Sequence, residues 1–352
     1  MRKSARADLR GSLRSHLRMT GLAIGLVAAA SSARADSVED FYRGKNVTLV
    51  IGYSVGGGYD LYGRLVARYL GRHIPGQPTI VPQNREGAGS MRAALYIYGA
   101  APKDGTVIGT FSRSMAVAPL LQDAQLDASK FSWLGSVSTD VNVCMTWHTA
   151  AVKTWDDMLT KPAKIGGLGA GADPDIFALM FKNVFGAKFQ LVSGYPGTND
   201  VALAMERGEV DGMCGLSWST VKTRHGDWLA GKKVNIPVQA GLHKEHDIPD
   251  VPLVMDLAKT PEQTQIVRLI LASQEMARPF AAPPGIPDDR RRALIEAFDK
   301  TMKDPDFLAE AAKMKADVNP VSAGAIDALL ADVYKTPKDV IAKAAKATSN
   351  SP

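Results

Sequence analysis

The residues best suited to chemistry in this chain are Gly56-Gly57-Gly58-Tyr59-Asp60, which follow the apolar run Val47 to Ile51. Glycines let backbone N–H groups come close to a ligand. A helix beginning at the aspartate adds unpaired N–H donors and a partial positive charge. Such a strand–glycine–helix junction is a cradle for an anion. It is not a phosphate loop, because the Lys-Ser/Thr pair that would hold phosphates and Mg²⁺ is missing. Gly167-Leu168-Gly169-Ala170-Gly171 approaches a dinucleotide fingerprint, but it lacks the last glycine. No ribose-binding acid stands about twenty residues further on.

Transforming a bound anion would take a nucleophile, a base or a metal set. His243 and His246 with Asp247 could form a metal pair on a helical turn, but Pro249 and Pro252 crowd them and a solvated loop is the plainer reading. Cys144 and Cys214 each sit inside an apolar strand, as structural cysteines do. No Gly-x-Ser-x-Gly elbow is present. His148, after Trp147 at a strand end, reads as a surface or hinge histidine. The expectation is therefore a binding protein with no catalytic residue, metal or cofactor. Among the cations near the first glycine loops, Arg64 and Arg92 fall inside helices and read as partners in outer-face salt bridges. Arg113, in Ser112-Arg113-Ser114 at a strand end, is the better candidate to grip a carboxylate. Tyr53, Tyr59, Tyr195 and Trp218 could wall a pocket, although each alone reads equally as a core aromatic.

The elements that must hold these residues follow from periodicity. Asn46 to Gly52 is apolar and β-branched, as a strand buried on both faces should be. Leu61, Leu65 and Tyr69, with Tyr62, Val66 and Leu70, give a broad helical face that Gly71 is expected to end. Pro78 to Pro82 is a second strand, Asn84 to Ser90 a second glycine turn, and Met91 to Tyr98 a helix that Ser90 could cap. Thr106 to Phe111 is a third strand. The same order returns later: strand Val141 to Trp147, helix Lys153 to Leu159, strand Lys164 to Gly166, glycine loop Gly167 to Ala172. Asp173-Pro174 is expected to cap the helix Ile176 to Phe185. Strand Phe189 to Val192, helix Val201 to Arg207 and strand Val210 to Cys214 follow. Repetition of strand, glycine turn and helix predicts parallel α/β sheets in two halves. Ligands of such sheets bind beyond the carboxyl ends of the strands. Beyond an extended stretch from Arg278 to Pro287, the tail reads as helices. Asp288 is expected to cap the first, Pro305 starts the second, Ser322 caps a last one to about Lys343, and Lys346 to Pro352 should fray.

Charge sets the compartment. The chain carries 42 basic and 36 acidic residues. Arg2, Lys3, Arg6, Arg10, Arg14 and Arg18 precede a short apolar core, Met19 to Ala30, and Ala33-Arg34-Ala35 is an A-x-A cleavage site. Together they predict a secretory signal over residues 1–35. The apolar run is too short to span a bilayer. Cleavage after Ala35 removes seven basic residues and one acidic one, leaving 35 of each. The basic balance belongs to the targeting segment, so no case for nucleic-acid or membrane binding survives it. Residues 36–352 are too many for one ordinary core and suit two lobes. An exported, oxidising setting makes a single disulfide possible.

The set of motifs, taken in order, resembles one family over almost all of residues 36–352. Val47 to Arg64 resembles the strand, Gly-Gly-x-x-Asp turn and x-x-x-Arg helix of the Bug family, the TctC-like periplasmic solute receptors of tripartite tricarboxylate transporters. Asn84 to Ser90 resembles its Asn-x-Pro-Gly-Ala-Gly-Gly loop, with Glu86 in place of proline and Ser90 in place of glycine. Lys103 to Thr106, Tyr195 to Thr198, Gly208 to Asp211, Ile248 to Pro252 and Ala282 to Pro287 continue the resemblance. It implies a type II periplasmic binding fold: two doubly wound α/β lobes with a ligand cleft between them. The expected division is residues 36–138 in lobe 1, 139–235 in lobe 2, and 236–352 returning to lobe 1 with helices packing across both.

The resemblance also implies a small organic carboxylate as ligand, integral membrane transporter subunits as partners, a periplasmic location and a monomer. It puts Tyr53, Ser54, Val55, Gly56, Gly57, Gly58, Tyr59 and Asp60 at the ligand, with Gly87, Ala88, Gly89 and Ser90 from the second loop. Ser112 and Arg113 join them at the third strand end. Gly169, Ala170, Asp173, Tyr195, Gly197 and Thr198 complete the cleft from lobe 2. Val55 and Tyr59 are bulkier than the family's residues there. The fold would set the strands of Cys144 and Cys214 side by side, which implies a Cys144–Cys214 disulfide. Two other readings stay open: a periplasmic sensor feeding a two-component system, and an exported enzyme on the same fold.

Overall fold

The computed structural model describes residues 37–350; the expected signal segment and its cleavage site lie outside the described residues. Eleven strands are present among them. They are β1 (Asn46–Ile51), β2 (Thr79–Asn84), β3 (Val107–Thr110), β4 (Ser132–Ser136), β5 (Asn142–Trp147), β6 (Ala163–Gly166), β7 (Phe189–Val192), β8 (Gly212–Ser217), β9 (Val234–Ala240), β10 (Pro279–Ala282) and β11 (Val321–Ser322). They make two sheets, ordered β11-β4-β10-β3-β1-β2 and β7-β6-β8-β5-β9.

Both sheets follow one plan. β1 runs parallel between β2 and β3, and β6 runs parallel between β7 and β8. Beside the third strand of each set lies an antiparallel one, β10 against β3 and β5 against β8. The expectation of parallel sheets fails at these two strands and at β11, which pairs antiparallel with β4. Parallel neighbours need a crossover in their own sheet. β5 instead arrives from β4 of the first sheet, and β10 is where the chain comes back. That return is later than expected: residue 236 lies inside β9, which pairs with β5. The helix Pro261–Leu271 still packs on the second lobe's core, through Val267, Ile270 and Leu271.

Leu49, Val50 and Ile51 of β1 are buried, as a central strand requires. Above them, Leu61, Leu65, Tyr69, Tyr62, Val66 and Leu70 of the helix Gly58–His73 are buried as their spacing predicts. This helix continues past Gly71, whose role is close approach: a Cβ there would strike the Pro78 carbonyl oxygen. In the second sheet Cys144 of β5 and Cys214 of β8 form the implied disulfide.

The tail differs in detail. Ser322 caps only Ala323–Val333, accepting from Ala325 N at 3.2 Å, and a separate helix, Lys338–Ala347, follows Pro337. Asp288 opens the helix Asp288–Thr301 but makes no side-chain cap. Lys346 to Ser349 are held rather than frayed, since Asn183 Nδ2 donates to the Ala347 and Ser349 carbonyls, each at 3.0 Å.

Candidate functional site

The glycine loops leave the C-terminal ends of parallel strands, two in the first sheet after β1 and β2 and one in the second sheet after β6, and the two sheets bring these strand ends face to face. In the first, Asp60 is the third residue of its helix and reaches back to accept from Gly56 N at 3.0 Å. Its other oxygen accepts from Arg64 Nε at 2.8 Å and Asn84 Nδ2 at 2.9 Å. Asn84 Nδ2 also donates to the Tyr53 carbonyl at 2.8 Å. β2 places Asn84 opposite Ile51, so the loop is tied to the strand beside it. Asp60 therefore orients the loop from behind.

The second loop is unusual in its backbone. Gly87, Ala88, Gly89 and Ser90 all have positive φ, at 128°, 48°, 61° and 80°. A non-glycine residue there is strained, and such strain gathers at functional sites. Ser90 sits in a left-handed conformation and does not cap the helix Met91–Leu95; its hydroxyl instead accepts from Ser112 N at 3.1 Å. Glu86 is exposed.

The lobes touch at several places among the described residues. Ser54 Oγ donates to Asp200 Oδ2 at 2.9 Å, against a glycine, Gly197, whose Cβ would strike that hydroxyl. Gly89 meets the second lobe's glycine loop, where an added Cβ would lie 2.8 Å from Ala172 N. Ser114 Oγ donates to the Gly171 carbonyl. At Gly58 a Cβ would collide with Thr220 Oγ1, whereas at Gly57 it would find Thr198 Oγ1 at 3.2 Å.

Between these contacts lies a buried polar centre. Arg113, 1 % exposed, donates from Nε to Asp173 Oδ2 at 2.7 Å, and its Nη2 lies 2.7 Å from the same oxygen. Nη2 also reaches Asn142 Oδ1 and, at 3.3 Å, Ser217 Oγ. Nη1 has no hydrogen-bond partner among the described residues. Asp173 was expected to cap its helix; Ala172 takes the N-cap position and the carboxylate turns to Arg113. Burial works against the Arg113 charge, but the Asp173, Tyr59 and Asp140 fields outweigh it and raise its pKa above the usual value. Beside it, Arg278 Nη1 donates to Ser217 Oγ at 3.0 Å and Nη2 to Thr220 Oγ1 at 2.9 Å, with Asp140 Oδ2 at 3.5 Å. The Arg278 guanidinium lies 5.1 Å from the Tyr59 ring centre and 5.0 Å from that of Tyr62. Tyr59 OH accepts from Arg113 N at 2.9 Å, and its ring lies 4.9 Å from Tyr53. Burial raises the pKa of both phenols.

The space these groups enclose is about 30 Å³, and Tyr53, Gly57, Gly58, Tyr59, Arg113, Asp173 and Thr198 of the expected set line it. The other expected residues lie around it. Val55 is 64 % exposed, Tyr195 packs on the second lobe's core, and Ala170 lines a larger cavity of about 630 Å³ on the far side of its loop. That cavity is walled by Ala118, Leu121, Ile176, Leu179 and Leu191, with Ser114 after the third strand end of the first lobe and Asp175, Ser193 and Lys346 among its polar residues; neither the Gly56 nor the Gly87 loop lines it. Glu245, His246 and Asp247 stand within 4.8 Å of one another on the surface, but Asp247 is already engaged by Lys222 and Trp218.

Sequence reasoning missed Arg278, Ser217 and Thr220. Arg278 stood in a stretch that read only as extended. Ser217 and Thr220 close an apolar strand and begin a helix, a strand-end signal of the kind used elsewhere.

Solved structures share this architecture. The periplasmic binding protein BugD is similar with a TM-score of 0.68 and 19 % identity, over 86 % of this chain and 98 % of its own. MatC from Rhodopseudomonas palustris, solved with bound malate, gives 0.67 and 18 % over 84 % and 99 %. An R. palustris protein solved with adipate gives 0.66 and 19 % over 86 % and 97 %. The chain thus has the two-lobed α/β fold of Bug- and TctC-type periplasmic binding proteins. No family model and no curated protein matches its sequence.

Proposed function

We propose that the protein is a periplasmic solute-binding protein that captures a small organic carboxylate between its lobes. It then hands the ligand to the integral membrane subunits of a tripartite tricarboxylate-type transporter. The observation that carries this reading is Arg113: a buried guanidinium with one nitrogen unpartnered, set where strand-end loops of both lobes converge. Proteins of the same fold that hold malate and adipate support a carboxylate. Tyr53, Gly57, Gly58, Tyr59, Asp173 and Thr198 form the rest of the seat, and the lobes part to admit the ligand. The chain works as a monomer that binds and releases. No histidine or cysteine stands among the described residues lining the seat.

The test is thermal unfolding of residues 36–352 against a panel of mono-, di- and tricarboxylates. A ligand at a hundred times its Kd adds about 2.7 kcal/mol to the folded state. At least one acid is expected to raise Tm by several degrees, and Arg113→Gln is expected to lose that rise relative to its own unliganded Tm. A panel with no stabilising member, or a variant that responds like the parent, would overturn the reading.

A further inference from the structure

The Arg113–Asp173 pair joins the two lobes. Arg113 follows the end of β3 in the first sheet, and Asp173 begins a helix of the second lobe. Opening the cleft must therefore separate a buried cation from a buried anion. Each leaves one binding position unused when they are joined. Arg113 Nη1 is buried without a partner, and every hydrogen bond that reaches the Asp173 side chain among the described residues ends on Oδ2. Arg113 and Asp173 both line the same small space. The neighbouring charges are also balanced, Arg278 against Asp140. A dicarboxylate inserted here would leave Asp173 beside a like charge in a site with little water, which is costly. A ligand with one cationic and one anionic group would re-pair both members and keep the cleft neutral.

Resting on the carboxylate-binding reading, we propose that the cleft is built for an amino carboxylate of zero net charge. Its carboxylate takes over Arg113 and its ammonium takes over Asp173, so that the internal ion pair is the ligand's pairing closed on itself. Asp173 is then the residue that sets specificity, and it discriminates against simple acids by leaving them uncompensated.

Calorimetry on residues 36–352 with matched ligands tests this. Alanine is compared with propionate and lactate, and γ-aminobutyrate with butyrate; succinate and malate serve as dianions. At least one amino member is expected to bind tenfold or more tightly than its deaminated match. Asp173→Asn is expected to bring that ratio near one, and Arg113→Gln to remove binding of both members. The comparison within the parent protein does not depend on either variant folding. Simple acids bound as well as or better than their amino matches, or a preference that survives Asp173→Asn, would overturn this inference and leave carboxylate capture standing. Binding of no member would overturn both.

Discussion

The glycine loop after β1 in the first lobe and the one after β6 in the second lobe are built alike and neutralised differently. In each, the third residue of the following helix is an aspartate that reaches back to loop N–H groups. Asp60 takes Gly56 N, and Asp175 takes Leu168 N at 2.5 Å and Gly169 N at 2.9 Å. Asp60 has its own cation, Arg64, and the amide of Asn84, all within the first lobe. Asp175 is met by the Ser193 hydroxyl, and among the described residues no ion pair reaches it. Burial outweighs these bonds and pushes its carboxyl above the ordinary aspartate range. The guanidinium of the second loop arrives from across the cleft and goes to Asp173. The first loop is thus complete in itself, while the second is completed only by closure. That division suits a receptor in which one lobe presents a rigid seat and the other responds to what occupies it.

The comparison can be broken most forcefully through the disulfide, which only the second sheet possesses. The bridged cysteines are 70 residues apart in sequence. A loop of that length corresponds to about 4 kcal/mol in the chain-entropy account. Reduction, or the double variant Cys144→Ala/Cys214→Ala, is expected to lower the urea midpoint, with Trp147 and Trp228 reporting the second lobe by fluorescence. An unchanged midpoint would show that the second lobe gains nothing from its crosslink.

Next in size is Asp60→Ala. It removes the acceptor of Gly56 N and Arg64 Nε at a residue only 4 % exposed, while Asn84 Nδ2 keeps the Tyr53 carbonyl and Arg64 Nη2 keeps Asn84 Oδ1. Losing hydrogen bonds to a charged group costs about 2 kcal/mol. Urea denaturation should show this loss in full without any ligand, because the network lies within one lobe. A loss seen only in ligand affinity would refute the self-contained first loop.

Much of this division was legible in the chain, and what was not has physical causes. Strand, glycine turn and helix are local patterns, so Asn46 to Arg64 and Ala163 to Phe185 read correctly as elements. The direction of β5 and β10 is a tertiary matter that no local pattern carries, so the repeat of strand, glycine turn and helix predicts only parallel neighbours. Ser90 read as a cap because serine before a helix usually is one. Its place after Gly87-Ala88-Gly89, in a run of left-handed residues, overrode that preference. Asp173 failed as a cap for a different reason: a buried guanidinium is a stronger partner than a helix N–H. Arg278 was invisible because its burial depends on β10 lying between β3 and β4.

The finest test of the comparison is Asp175→Asn. The amide oxygen can still accept from Leu168 N and Gly169 N, so the loss at neutral pH should be about 1 kcal/mol or less. The informative readout is pH. A carboxyl whose folded pKa is raised binds more protons in the native state than in the unfolded one. Its contribution is therefore full below the ordinary aspartate pKa and is lost as pH rises through the folded value. The stability of the parent relative to Asp175→Asn should therefore fall as pH rises through that window, as followed by urea midpoints of both proteins from acid to neutral pH. If Asp175→Asn leaves the slope of the profile unchanged, the second-lobe loop carries no uncompensated buried carboxyl, and the responsive role assigned to that lobe has no basis in this aspartate.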